Sequence, residues 1–174
     1  MFKRLDLGFM VGPDQHSYEG CVRAYTGLAD AADAVTRHLQ EALAQGPGLS
    51  IVEFDALLTI GNDLAGRIGL SEVSRNVRLS QSALSRLVDR LVRRGLLRRV
   101  AFGSDRRSVG IEITAMGRAL LNEAVPVHAE CIRASLLDRL TVEERTALKS
   151  ILLKIAPKSQ EQDRWIPIPE TTQD

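Results

Sequence analysis

Polar and charged side chains cover one side of a helix that the sequence predicts from Ser80 onward. Its apolar residues recur every three or four positions, at Leu84, Leu87, Val88, Leu91 and Val92. The other faces carry Gln81, Ser82, Ser85, Arg86, Asp89 and Arg90. The apolar spacing indicates a single buried face. A helix that reads a DNA major groove needs this division, because the apolar face holds it to its domain while polar side chains near its N-terminus meet base edges and phosphates.

A second group of charged residues lies in a turn between two predicted strands. Residues 97–102 suit a strand and residues 103–107 a turn. The return strand is indicated by alternating apolar residues at Val109, Ile111 and Ile113. Arg106 and Arg107 therefore lie at a projecting tip. Arginine suits a narrow minor groove because it is a permanent, weakly hydrated cation, and Asp105 could brace Arg107.

A shorter helix is predicted immediately before the one at Ser80. Ser71 is its expected N-cap, and Val73 and Val77 lie four residues apart on one face. Ser80 is the expected N-cap of the following helix, and Gly95 should end it in a left-handed conformation. Two helices joined by a turn and followed by an arginine-rich hairpin are the sequence form of a winged helix-turn-helix. The pattern favours a DNA-binding module.

This segment resembles the multiple-antibiotic-resistance regulators, or MarR family. The likeness is carried, in order, by residues 79–91 (LSQSALSRLVDRL), residues 94–97 (RGLL), residues 105–109 (DRRSV), and Ile113-Thr114 followed by Gly117. It extends from about Ser17 to Ala156. The resemblance implies a homodimeric, mostly helical transcription regulator whose dimer interface is built from the two ends of the chain.

The resemblance also assigns roles to residues that match the family's motif. The candidate base readers are Gln81, Ser82, Ser85 and Arg86, with Arg86 the candidate for guanine. The candidate phosphate contacts are Ser71, Ser80, Arg90 and Arg106. Arg107, braced by Asp105, is the candidate for the minor groove. In a twofold dimer, the two reading helices would enter successive major grooves about 34 to 36 Å apart on near-palindromic double-stranded DNA.

The mechanism we predict is repression by occupancy of the operator, released by a small-molecule effector. The resemblance implies a cleft between the long first helix and the winged module, where the effector would bind with Leu28, Val35 and Leu58 as apolar walls. If it binds best to a dimer with the wrong spacing of its reading helices, it lowers DNA affinity by linkage.

The predicted fold class is mainly α with a small β-hairpin wing: a winged helix-turn-helix flanked by N- and C-terminal dimerisation helices. The predicted regions are an N-terminal extension (1–13), a helical dimerisation region (14–48 and 114–156), the winged helix-turn-helix domain (49–113) and a C-terminal tail (157–174). A loop from Gly66 to Gly69 should lead into the winged module.

Helix boundaries follow from local patterns. The first helix should run from Asp14 to Gln45 with a long apolar seam at Cys21, Tyr25, Leu28, Ala32, Val35, Leu39 and Ala42. Capping boxes are predicted at Ser50 with Glu53 and at Thr141 with Glu144. Thr114 should cap a helix whose apolar stripe includes Met116, Leu120, Ala124, Val127 and Cys131, with a kink at Pro126.

Composition and charge agree with a DNA-binding domain. The 174 residues are 44% apolar, enough to fill a helical core, and the net charge is only +1. The charge is unevenly distributed, however. Residues 71–113 hold ten arginines and four acidic residues, a net charge of +6, so the rest of the chain carries −5. The positive charge is concentrated where phosphate contacts are expected.

Catalysis, cofactors and metals are not expected. The histidines, His16, His38 and His128, have no carboxylate or cysteine at ligand spacing, and no phosphate loop or activated nucleophile is recognised. No stretch is long and apolar enough to span a membrane, and no signal peptide is evident, so a cytoplasmic location is expected.

Two other functions remain open from the sequence. Cys21 and Cys131 resemble in rough position the cysteines of MarR relatives that sense organic hydroperoxides, which would make the protein a thiol-based redox sensor. A sensor thiol needs cations or hydrogen-bond donors beside it, and the supporting tyrosines of those relatives are absent here. Alternatively, the winged helix could bind a protein, with the segment around Trp165 as a docking tail.

Overall fold

The structure, a computed structural model, describes residues 15–63, 67–77, 79–101 and 109–155. Within these ranges the helices are α1 (Gln15–Gln45), α2 (Ile51–Gly61), α3 (Leu70–Val77), α4 (Gln81–Arg93), α5 (Ala115–Ser135) and α6 (Val142–Ile155), with a short 3₁₀ helix at Leu137–Arg139. The strands are β1 (Arg67–Gly69), β2 (Leu97–Ala101) and β3 (Val109–Ile113). The mainly helical class with a small β wing is confirmed. The predicted extension and tail lie outside the described residues.

A small antiparallel sheet has the strand order β1-β3-β2. The predicted hairpin of β2 and β3 is present, with Leu97 opposite Ile113 and Ala101 opposite Val109. The loop predicted from Gly66 to Gly69 is wrong for its last three residues, because they form β1 and place Ile68 opposite Ile111. Ile68 and Ile111 are both buried, which explains the pairing. A three-residue strand is too short to show an alternating pattern in the sequence.

The hydrophobic core lies beneath α4. Four residues of its predicted stripe are buried and the fifth is half-buried: Leu84, Leu87, Val88 and Leu91, then Val92. They belong to one cluster with Phe54, Leu57 and Ile60 of α2 and with the inward side of β3. Burial of a leucine-sized side chain contributes about 1.5–3 kcal/mol. The packing of α4 therefore fixes which of its faces is left for a partner.

The start of α3 differs from the prediction. Val73 and Val77 are buried, as expected. The helix begins at Leu70, however, directly after β1, so Ser71 lies inside its first turn and is not the N-cap. The reason is tertiary: the pairing of β1 with β3 carries the chain into the helix two residues earlier than a cap at Ser71 would.

The local caps elsewhere are confirmed. The Ser50 amide donates to Glu53 Oε2 at 2.9 Å, and the Glu53 amide donates back to Ser50 Oγ at 3.3 Å. Thr141 and Glu144 form the same reciprocal pair. Gly95 follows α4 with φ of 73°, the left-handed conformation predicted there.

In the first turns of α5, the buried stripe lies one residue later in the sequence than predicted. Thr114 caps the helix by accepting the Gly117 amide, as predicted. Met116 is 53% exposed, whereas Gly117, Leu121 and Ala124 are the buried residues. Because a glycine adds nothing to an apolar pattern, the sequence could not show that Gly117 faces the core. The helix continues through Pro126, as expected.

Two helical surfaces leave apolar side chains in solvent. On α1 the seam is half-buried at Leu39 but exposed at Tyr25 and Leu28. On α6, exposed apolar residues include Ile151, Leu152 and Ile155. In the part of the chain that the structure describes, no helix is long and apolar enough to cross a membrane.

Candidate nucleic-acid interface

The N-terminal end of α4 presents polar groups to solvent. Ser80 caps the helix by accepting the Ala83 amide at 3.3 Å, and its hydroxyl lies 3.3 Å from that of Ser82. Gln81, Ser82 and Arg86 are exposed, and Ser85 is half-buried. The first amides of a helix have no intrahelical partner and carry partial positive charge, so this end favours an anion. The structure thus brings the predicted base readers together on one solvent-facing surface.

The turn between α3 and α4 is held by a residue that the sequence analysis missed. The Ser74 hydroxyl donates to the backbone carbonyl of Leu79 at 3.0 Å, one residue before the Ser80 cap. This bond ties α3 to the start of α4 and fixes the entry of the chain into the exposed end. In the sequence, Ser74 is only a serine within a short predicted helix, and nothing there indicates its bond to Leu79.

Ion pairs hold α4 to the sheet on its other side. Arg99 on β2 donates to Asp89 of α4 at 2.7 Å. Its neighbour Arg98 donates across the hairpin to Glu112 at 2.8 Å, which links β2 and β3. Charge-assisted bonds of this kind are directional. The Arg99–Asp89 pair thereby orients α4 relative to β2.

Arg90 has a partner that the sequence did not predict. Its Nε donates to Glu53 Oε1 at 2.8 Å, although half of its side chain (52%) remains exposed. Arg94, one turn further, has its Nη1 3.3 Å from the same carboxylate oxygen. A contact between Arg90 and phosphate remains a prediction, and it would have to involve atoms other than Nε. Glu53 was predicted only as a helix cap, because its partners lie far away in sequence.

The remaining predicted DNA contacts stay predictions. Ser71 lies in the first turn of α3, near the start of the helix. Asp105, Arg106 and Arg107 lie outside the described residues. The pairing of Ala101 with Val109 shows where the segment that carries them joins the sheet.

The candidate effector residues occupy different settings. Leu28 is 46% exposed on α1, and Val35, two turns later on the same face, is half-buried. Leu58 on α2 is half-buried and packs against the core cluster. A pocket between them remains a prediction.

The cysteines and His128 also have defined surroundings. Cys21 is an exposed free thiol on α1, and Cys131 is a half-buried free thiol on α5. A redox role for either stays a prediction. His128 stacks on Phe54 with ring centroids 4.5 Å apart. Burial lowers the pKa of His128, and Asp55 opposes this shift only in part.

Known transcription regulators are similar to this chain in sequence. The sequence model of the MarR family matches residues 48–108. The chain is 37% identical to the HTH-type transcriptional regulator PecS of Dickeya dadantii over 108 residues, 62% of this chain and 64% of PecS, which is less than two thirds of that relative. It is 26% identical to the HTH-type transcriptional repressor YetL of Bacillus subtilis over 133 residues, covering 76% of this chain and 78% of YetL.

A solved structure has the same fold. Sco3205, a MarR family transcriptional regulator from Streptomyces coelicolor crystallised in complex with DNA, superposes with a TM-score of 0.70 at 26% identity. The match covers 78% of this chain and 87% of Sco3205. Transcription regulators of this kind are not enzymes, which agrees with the prediction from sequence. The segment 48–108 thus matches the MarR family model, and the fold is that of MarR family transcription regulators.

Proposed function

We propose that the protein binds double-stranded DNA as a homodimer and represses transcription by occupying its operator. One observation carries this proposal. The apolar stripe of α4 packs into the core, and Gln81, Ser82 and Arg86 are exposed together at the N-terminal end of the helix. These side chains can hydrogen-bond to base edges in a major groove, and the helix N-terminus favours phosphate. The DNA-bound relative Sco3205 supports the same use of the fold.

Dimerisation is supported by the exposed apolar residues of α1 and α6. Tyr25 is 73% exposed and Ile155 is 59% exposed, and each lies on a helix that carries further exposed apolar residues. Exposed apolar surfaces of this kind favour a protein partner. A second copy would bury them and would set the two α4 helices about one DNA turn, roughly 34 to 36 Å, apart.

We also propose that a small-molecule effector releases the DNA. A small molecule changes DNA affinity only if it binds more tightly to a dimer whose α4 helices have another spacing. The exposed and half-buried apolar residues Leu28 and Val35 on α1 favour a lipophilic ligand beside the dimer helices. Screening ligands by their effect on operator affinity would test this part of the proposal.

The proposal is tested by replacing Arg86 with alanine. If Arg86 makes a bidentate contact to a guanine, we expect operator affinity to fall by about 1–3 kcal/mol, roughly 5- to 150-fold, and specificity at that base pair to relax. Binding to random duplex should weaken much less. The measurement is fluorescence anisotropy on both duplexes at one salt concentration.

The matched control is Arg37→Ala. Arg37 is an exposed arginine on α1, outside the winged module, so this variant loses the same charge without touching α4. Equal losses in both variants would show a general charge effect. Unchanged operator affinity in Arg86→Ala would remove Arg86 from the base contacts.

A further inference from the structure

Glu53 is a buried carboxylate at the N-terminus of α2. It is 6% exposed, and it is the buried charged residue of the described ranges. Burial of a charge is costly unless hydrogen bonds compensate for the lost water. Glu53 Oε2 accepts the Ser50 amide at 2.9 Å and the Ser50 hydroxyl at 3.0 Å, while Oε1 accepts Arg90 Nε at 2.8 Å. Both oxygens are therefore satisfied.

The two arginines beside Glu53 lie at the C-terminal end of α4: Arg90 is in its last turn and Arg94 is its C-cap. Arg90 and Arg94 are four residues apart, so they project from the same side of the helix. Arg94 Nη2 also donates to the Gly48 carbonyl at 3.1 Å, in the turn between α1 and α2. We call these contacts, formed by Gly48, Glu53, Arg90 and Arg94, the arginine lock. It joins three parts of the fold: the end of α1, the start of α2 and the end of α4.

The lock is charged at neutral pH. Burial acts to raise the pKa of Glu53, but hydrogen bonds from the Ser50 amide, Arg90 and the Ser50 hydroxyl outweigh it, so the pKa lies below its ordinary value. The carboxylate thus remains ionised, and its bonds to the guanidinium groups are charge-assisted and directional. Apolar packing has no such direction. The lock can therefore fix the tilt of α4 relative to α2, as the Arg99–Asp89 pair does relative to β2.

The tilt of α4 matters at its other end. Gln81 lies nine residues before Arg90, which is about 13 Å along a helix at about 1.5 Å per residue. A pivot of about 5° at Arg90 would move the N-terminal end by about 1 Å, whereas a working binding site must be held within about 0.5 Å. Loss of the lock would therefore misplace the base readers without unfolding the domain.

We propose that Glu53 is a positioning residue for DNA recognition: through Arg90 and Arg94 it holds α4 at the angle that presents Gln81 and Arg86 to the bases. This inference rests on the proposed function. It also gives Arg90 a role different from the predicted phosphate contact. On this account the lock raises operator affinity and leaves the affinity for random DNA almost unchanged.

The test begins with Glu53→Gln, which keeps the size of the side chain and an oxygen for Ser50 but removes the charge that holds the arginines. We expect operator affinity to fall about 5- to 30-fold. Affinity for random duplex should stay equal or rise, because the net charge increases by one. Both are measured at a temperature where circular dichroism shows a fully folded protein.

Glu130→Gln is the matched control. Glu130 pairs with Arg133 on α5, so the substitution makes the same charge change and breaks an exposed ion pair away from α4. We expect its ratio of operator to random affinity to equal that of the wild type. If Glu53→Gln fails to fold, Arg94→Gln replaces it. Arg94 is at the surface, and its loss breaks the contacts to Glu53 and Gly48.

A double variant separates positioning from phosphate binding. If Arg90 acts only through Glu53, its replacement has no further effect once Glu53 is gone, so Arg90→Gln combined with Glu53→Gln binds the operator no more weakly than Glu53→Gln alone. The slope of log affinity against log salt then stays at the wild-type value in all three variants. A slope smaller by about 0.9 in Arg90→Gln, with additive losses, would instead show a phosphate contact and overturn the inference.

Failure of the positioning role of Glu53 can be distinguished from failure of the proposed DNA-binding function. If the wild type binds its operator selectively but a folded Glu53→Gln or Arg94→Gln variant retains the full selectivity, the positioning role is wrong and the proposed function stands. If the wild type shows no selectivity for any operator, the proposed function is wrong, and the positioning role falls with it.

Discussion

Replacement of Gly117 by alanine should destabilise the fold strongly, although alanine is the better helix former. A Cβ at this position would lie 2.1 Å from the Leu96 carbonyl oxygen and 3.0 Å from Ile113 Cγ1. The nearest obstacle is backbone, so a change of side-chain rotamer cannot relieve it. The start of α5 would have to move by about 1 Å away from the turn that ends α4.

The magnitude follows from two opposing effects. Overpacking costs about 1–3 kcal/mol, and more where backbone must move. Alanine in place of glycine in a helix contributes at most about 1 kcal/mol in the other direction. The shift would also stretch the bonds from the Thr114 hydroxyl to the Gly95 and Leu96 carbonyls, at 2.7 and 3.1 Å. We expect the free energy of unfolding to fall by about 2 kcal/mol or more.

Urea unfolding measures this change. The protein concentration is held fixed, because the stability of the proposed dimer would depend on it. Gly27→Ala is the control. Gly27 lies on α1, and an added Cβ would have no atom of the described residues within 4 Å apart from its own stretch of helix backbone and its chain neighbours. Its replacement should therefore stabilise by up to about 1 kcal/mol. A Gly117→Ala variant within about 0.5 kcal/mol of the wild type would refute the close approach of α5 to Leu96.

Two further predictions concern the core and the histidine. Leu84→Ala should lower the free energy of unfolding by about 2–5 kcal/mol, because Leu84 is fully buried on the core face of α4. Urea unfolding checks this change, and a loss below about 1 kcal/mol would contradict that burial. For His128, burial lowers the folded-state pKa below the unfolded value of about 6.5, so the unfolded chain takes up the proton first. Stability should thus be highest above about pH 7 and fall as the pH drops toward the folded pKa, and His128→Gln should flatten this decline; an unchanged pH profile would count against it.

Local patterns allowed much of the fold to be predicted. The Ser80 cap, the left-handed Gly95 and the capping box at Ser50 each depend on residues within a few positions of one another, so their sequence spacing determines them. The buried stripe of α4 is equally local, since helical periodicity defines it. The same patterns predicted the candidate interface, because the exposed residues of α4 are those that do not belong to its buried stripe.

Contacts between distant segments could not be predicted. The bond from Arg90 to Glu53 joins residues 37 positions apart, and neither residue has a pattern that indicates the other. The strand β1 is defined only by its pairing with β3, and that pairing also moved the start of α3 ahead of Ser71. Gly117 faces the core because Leu96 approaches it, which no local preference shows.

The exposed end of α4 is proposed to bind DNA in a sequence-selective way. The most direct test of this proposal is a salt titration of wild-type binding to the DNA that flanks its own gene, compared with a random duplex of equal length. We expect the flanking DNA to bind at least about 10³-fold more tightly at physiological salt, with affinity for both duplexes falling steeply as salt increases. Equal affinities for the two duplexes across the titration would contradict the proposal.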